Sequence, residues 1–232
     1  MQQTLQSGVT TNVTWFRDNH EYGRIQASLP HYQYIRLMVE HEIRGAHELL
    51  DVGNGGFFNY DTNLVDRLIA LDLFLDDGPG PAPNIRLQRG SLLDMPFRDE
   101  QFDFILLQNV LHHVTGASVK QNHENIAAGM RELFRCVRRG GRVLIVESTV
   151  GKYFYQLERM MFRAFLTIKR GGHPVTFQFT PDQIIAQAVS SGFALIEYAD
   201  VPTRGMSILQ FGYRWPTCLT PARPIKLLIT RI

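Results

Sequence analysis

The apolar run Glu48-Leu49-Leu50 passes into Asp51-Val52-Gly53-Asn54-Gly55-Gly56. An apolar run that ends in an acidic residue and meets glycines reads as a strand stopping at a tight turn, where backbone amides approach a ligand closely. Such a turn suits a nucleotide-like cofactor, although glycine clusters after strands also form loops that bind nothing. A second short run, Arg67-Leu68-Ile69-Ala70-Leu71, ends in another carboxylate, Asp72. The interval between the two aspartates matches the one at which an open α/β sheet places an acid on a ribose, whose two vicinal hydroxyls both donate to it. Taken alone, Asp72 could merely end a strand; the two signals together favour a nucleoside-containing ligand. His112 and His113 follow a later apolar run, Phe102 to Gln108. An imidazole at the end of such a strand is suited to taking a proton near about pH 7.

The chain that must position these groups has 232 residues, 44% of them hydrophobic and 20% charged, an ordinary composition with enough length to bury one sizeable core. A net charge of +2 with dispersed Lys and Arg gives no basic face of the kind nucleic acid requires. Cys136 and Cys218 form no metal-type spacing with histidine, so no metal site is expected and a reduced, cytoplasmic setting accounts for them. No uninterrupted apolar run reaches the length of a membrane span, and the polar start shows no secretory h-region.

The element pattern alternates. Residues 1–19 read as a polar tail. Tyr34, Ile35, Met38, Val39 and Ile43 are spaced as one helical face that Gly45 stops, a helix placed to cover the mouth of a site with Tyr22, Arg24, His31 and Tyr32 nearby. Strands follow over the run from Glu48 into Asp51 and the glycine turn, over Arg67–Asp72, and over a third run, Asn84–Gly90. The near-continuous apolar run Phe102–Asn109 is that of a strand covered on both faces. Ile126, Met130, Leu133, Phe134 and Val137 form a helical face that Gly140-Gly141 is expected to close, and Arg142–Glu147 is the next strand. Tyr153 to Leu166 is helical and apolar round most of its wheel. Thr180, Pro181 and Gln183 open a further helix with a capping box, before strands at Phe193–Tyr198 and Ile225–Thr230.

Asp51-Val52-Gly53-Asn54-Gly55, Asp72, Leu93-Asp94-Met95-Pro96-Phe97, Phe102-Asp103, Val110-Leu111-His112-His113-Val114 and Gly140 to Glu147 occur in the order seen in class I S-adenosylmethionine-dependent methyltransferases. The chain resembles their small-molecule branch, of the ubiquinone/menaquinone-biosynthesis type, over roughly residues 45–150. The resemblance implies a Rossmann-like, doubly wound α/β fold: a seven-stranded, mostly parallel sheet with an antiparallel last strand and helices on both faces. It further implies an N-terminal helical lid over 1–45, a cofactor-binding core over 46–150, an acceptor-pocket insertion over 151–179 and closing elements over 180–232, all in one domain.

By the same resemblance the cofactor is S-adenosylmethionine. Asp51 with Gly53, Asn54 and Gly55 would hold its methionyl part, Asp72 and Leu73 its ribose side, Leu93 and Asp94 its adenine, and Gln108 would stand beside the methionyl amino group. His113 and His112 are the candidate bases, although in family members such a pair also only packs or orients the loop. Tyr22, His31, Met161, Phe165 and His173 are the candidate acceptor contacts, the 151–166 helix having dimer contact or plain core as its alternatives. Where the family has a third glycine this chain has Phe57, and Asn59 to Asn63 is poor helix material. The expected activity is methyl transfer to a small-molecule oxygen or carbon acceptor. A cofactor-binding scaffold without turnover, or a dinucleotide oxidoreductase, is the alternative.

Overall fold

A computed structural model describes residues 30–168, 175–203, 206–208, 214–216 and 220–232. Helix α1 (Pro30–Ile43) precedes strand β1 (Glu48–Val52), and Gly45, at φ +79°, ends it as expected. Then come β2 (Arg67–Asp72), the two-residue β3 (Gly78–Pro79), β4 (Ile85–Arg89) and β5 (Phe102–Gln108). Helix α2 (Val119–Cys136) leads directly into β6 (Val137–Val150), which is followed by α3 (Lys152–Ile168) and α4 (Pro181–Ser190). Strand β7 (Phe193–Asp200), a short antiparallel ribbon of β8 (Met206–Ile208) with β9 (Arg214–Pro216), and β10 (Ala222–Arg231) complete the described elements.

The main sheet runs β3-β4-β2-β1-β5-β6-β10-β7. Strands β4, β2, β1, β5 and β6 are parallel, while β10 lies antiparallel between β6 and β7. Seven of these strands are those expected; the eighth is β3, which pairs antiparallel with β4 at the edge. The chain leaves β1 towards β2 on one side and later returns to β5 on the other. The carboxyl ends of β1 and β5 therefore form the switch point where open α/β sheets bind ligands.

Alternate side chains of the central strands feed two cores. On one face Leu50, Ile105, Leu107 and Ile145 pack with Ile126, Met130 and Leu133 of α2 and Ile184 of α4. On the other, Leu49, Leu106, Leu144 and Val146 pack with Ile35, Val39 and Ile43 of α1. Double coverage is why these strands read as unbroken apolar runs. It also redefines α1: the helix expected as a lid is built into the core, and only its first turn reaches the ligand edge. Lys226 on β10 fastens α1 from beneath, donating to Glu42 at 2.8 Å and to Glu197 at 2.7 Å.

Two expectations about helices are corrected or sharpened. Helix α2 ends at Cys136, since Val137 is already extended, and Gly140-Gly141 lie inside β6. There the pairing with β5 slips from Phe102–Val137 to Phe104–Arg142, and a Cβ on Gly141 would fall 2.8 Å from the Arg138 carbonyl oxygen. The glycines thus serve a bulge, which needs close backbone approach, and not a helix stop. The carbonyls at the end of α2 are capped instead by Arg231 of β10, which donates to those of Phe134, Arg135 and Val137. After the glycine turn no α-helix forms; residues 57–61 have no regular secondary structure and lead into a single 3-10 turn, Thr62–Leu64, capped by Asp61. The capping box of Thr180 with Gln183 forms as read from the sequence.

Lys226→Ala would take from buried Glu42 the nearer of its two cations, leaving Arg142 at 3.5 Å. We expect a loss of about 3 kcal/mol in urea unfolding, most of it recovered by the double change Lys226→Met with Glu42→Leu.

Candidate active site

The carboxyl ends of β1, β2 and β5 bring the first group of residues together. Asp51, next to last in β1, has 1% of its surface exposed. The Tyr60 hydroxyl donates to its Oδ2 at 2.6 Å and the Asn54 amide to the same oxygen at 2.7 Å. Its Oδ1 is buried and has no hydrogen-bond partner among the described residues. Asp72 closes β2 and accepts from the Gly55 N–H at 2.9 Å and, more loosely, from that of Phe74 at 3.4 Å. Burial pushes both carboxyls up to about 6; for Asp51 the charge of Asp72 adds to this, and hydrogen bonds from Tyr60 and Asn54 oppose it.

The glycine turn needs its glycines for two reasons. Gly53 and Gly55 have φ of +77° and +63°, and a Cβ on Gly53 would come within 2.7 Å of Val110. Across the switch point, Gln108 at the end of β5 forms a reciprocal amide pair with Asn59, at 3.1 and 3.3 Å. Asn109 follows in the left-handed region, φ +56°, and donates to the Tyr32 hydroxyl at 3.0 Å. Tyr32 and Tyr60 thus border the site on one side and, on the other, line a cleft of about 680 Å³ between α1 and residues 57–61. Phe57, in place of a third glycine, lines that cleft, half out of the protein.

Leu93 and Asp94 sit in a turn closed by a Ser91–Asp94 bridge, Leu93 half-buried and Asp94 exposed, while Leu73 is half-buried just past Asp72. The histidines lie beyond β5 in a 3-10 turn, Leu111–His113. His112 is buried, and its Nδ1 lies 2.5 Å from Oε1 of Glu147. Glu147, 1% exposed on β6, also accepts from the backbone N–H of Leu111 at 2.7 Å and of Ser148 at 2.8 Å. Three donors on one buried carboxylate fix its orientation and that of the ring it faces. The His113 ring is half-buried, 4.0 Å from that of His112. The His112 carbonyl accepts from Phe177, which ties the turn to the 175–179 segment.

Of the expected acceptor contacts, His31 is buried in the first turn of α1, its Nδ1 lacks a partner among the described residues, and burial lowers its pKa, which favours the neutral ring. Met161 is exposed on α3, where its neighbour Phe162 is the buried residue. Phe165 lies on the same helix; Tyr22 and His173 fall outside the described residues. Tyr60, Asn59, Asn109 and Glu147 were not singled out by the sequence. Glu147 alone had a readable signal, as a third strand-terminal carboxylate beside Asp51 and Asp72. Among the described residues no cluster of three or more His, Cys, Asp or Glu could hold a metal ion.

A family model described as a methyltransferase domain matches residues 50–145. A protein of Bacillus subtilis (strain 168) called an uncharacterized methyltransferase, YcgJ, is 26% identical over 149 residues, 59% of this chain and 55% of that protein. The chain therefore spans about half the length of this curated relative. The crystal structure of YcgJ matches with a TM-score of 0.55 at 16% identity, covering 84% of this chain and 97% of that one. A SAM-dependent methyltransferase from Methanosarcina mazei matches at 0.58 with 13% identity over 84% of this chain and 97% of its own. The N-methyltransferase NodS from Bradyrhizobium japonicum WM9, solved with S-adenosylhomocysteine, matches at 0.59 with 13% identity over 95% and 98%. These likenesses show that the Rossmann-like fold is shared.

Because the buried carboxyls bind protons more tightly here than the value of about 3.9 in an unfolded chain, their ionised forms weaken the ligand-free fold above about pH 6. Stability should recover as the pH falls from about 6 towards about 4. Asp51→Asn should raise the urea midpoint at about pH 8 by the equivalent of about 2 kcal/mol and flatten its pH dependence between about 6 and about 4. An unchanged midpoint at high pH would contradict the raised pKa.

Proposed function

We propose that this chain, whose residues 50–145 match a methyltransferase-domain model, is a class I S-adenosylmethionine-dependent methyltransferase that transfers a methyl group to a small-molecule acceptor through an oxygen or carbon nucleophile. The observation that carries the reading is Asp51, a buried carboxylate with one oxygen held by Tyr60 and Asn54 and the other unsatisfied. An ammonium group is the partner that would both satisfy that oxygen and neutralise the buried charge. In this reading Asp51 receives the methionyl amino group beside the amides of Gly53 and Gly55. Asp72 takes the ribose hydroxyls in exchange for part of its bond to Gly55, and Leu93 and Asp94 take the adenine.

When bound, S-adenosylmethionine supplies a methyl group already activated by its sulfonium, so the protein's main task is to hold the acceptor in line. An oxygen or carbon acceptor must also lose a proton. His112 is suited to receive it: with Nδ1 directed at Glu147, the ring's other nitrogen is the proton-accepting one. Glu147 acts as a positioning residue, and His113 packs beside the base. Phe57 and the missing helix favour a second reading, a protein that binds the cofactor without turnover.

Calorimetric titration with S-adenosylmethionine, S-adenosylhomocysteine and, as control, NAD separates these readings when followed by methyl-transfer assays on phenolic acceptors. Binding of the first two is expected, weakened about 100-fold by Asp72→Ala through loss of two ribose hydrogen bonds. Binding without transfer to any acceptor would favour the scaffold, and preference for NAD would sink both readings. In the active enzyme, Glu147→Gln should lower kcat about 100-fold on a hydroxyl acceptor while leaving cofactor affinity unchanged.

A further inference from the structure

Helix α3 carries two apolar faces. One packs inward through Tyr155, Glu158 and Phe162, with exposures of 7%, 1% and 2%. The other is bare: Tyr153, Leu157, Met160 and Met161 expose 95%, 50%, 80% and 41% of their surface. Those four positions recur at helical spacing and form one stripe along a helix of 17 residues, about 25 Å long. Lys152, Arg159 and Arg163 stand at i, i+7 and i+11, all exposed, as a basic ridge along one flank of the stripe. The helix has a single acidic residue, Glu158, and it is buried with Oε2 accepting from the Gln178 N–H at 3.0 Å. Lys152 also reaches Asp182 at 3.1 Å.

We propose that this face of α3 docks on the headgroup region of an anionic lipid bilayer, the helix lying in the interface plane. The charge pattern selects the occupant. A surface helix with one polar face needs no partner, whereas an exposed apolar stripe edged by basic side chains, one of which, Lys152, is paired with the exposed Asp182 of α4, complements a layer that is apolar inside and negative at its rim. A second copy of the chain fits less well, because two-fold antiparallel pairing of the stripes sets each basic ridge against its own copy. Among the described residues no helix is long and apolar enough to cross a membrane, so the contact is peripheral. Methionine and leucine suit a disordered acyl boundary, and a tyrosine at the first turn suits the headgroup level. Nothing in this inference depends on the methyltransferase reading.

The test is co-sedimentation of the full chain with vesicles of phosphatidylcholine alone or mixed with phosphatidylglycerol, alongside analytical ultracentrifugation without lipid. Binding to the mixed vesicles only, weakened by salt, is expected. Arg159→Gln should lower the partition about fivefold and Leu157→Glu with Met160→Glu should abolish it. Val189→Glu, at an exposed position on α4, should leave it unchanged. Circular dichroism melts of each variant check that these surface changes keep the fold. Wild-type protein that ignores anionic vesicles, or a stripe variant that binds as wild type, overturns the proposal. So does a wild-type dimer that Leu157→Glu dissolves, which would make the stripe an interface between copies.

Discussion

The structure depends on keeping two carboxylates, Asp51 and Asp72, out of water at the ends of adjacent strands. Each ionised group would sit more comfortably in solvent, and their mutual repulsion adds to the cost. The surroundings answer that cost only in part. Tyr60 and Asn54 satisfy one oxygen of Asp51, and the Gly55 amide meets Asp72. What remains is one buried oxygen of Asp51 without a donor among the described residues, and under the proposed reading a ligand with hydroxyls on one side and a cation on the other would answer the rest. Affinity of this kind is prepared by the fold, because the ligand relieves a strain that already exists.

The loss of a helix after the glycine turn is the main local departure, and the segment that replaces it is well used. Residues 57–61 supply Tyr60 to Asp51 and Asn59 to Gln108, so an irregular stretch bridges β1 and β5 across the switch point. A helix there would have offered backbone amides at its first turn. In this chain two side chains do the holding instead, and the cleft beside α1 is lined by the aromatic groups of the same segment.

Legibility followed locality. The strands ending in Asp51 and Asp72, the stop at Gly45 and the capping box at Thr180 were readable because each is decided within a few neighbouring residues. What could not be read depends on pairing between distant segments. Gly140-Gly141 resembled a helix stop until the register of β6 against β5 made it a bulge. Glu147 looked like the end of a strand, and only the folded sheet sets its carboxylate against a histidine 35 positions earlier. Tyr60 and Asn59 sat in a stretch noticed only for being unlike a helix. The spacing of α1 was legible, but its burial against the sheet, with Lys226 beneath it, was not.

The insertion of β10 between β6 and β7 bears on how the molecule comes together. Among the described residues β7 has no other strand neighbour in the sheet, so there it lacks a partner until a segment made some twenty residues later arrives between it and β6. During synthesis the open edge of β6 waits in the same way. The last contacts to form, those with β6 being among the longest in sequence, seal two ladders at once, while Arg231 locks the end of α2. A chain assembled in that order folds late and all together, and until then it carries two unpaired strand edges that a chaperone or a neighbouring chain can find first.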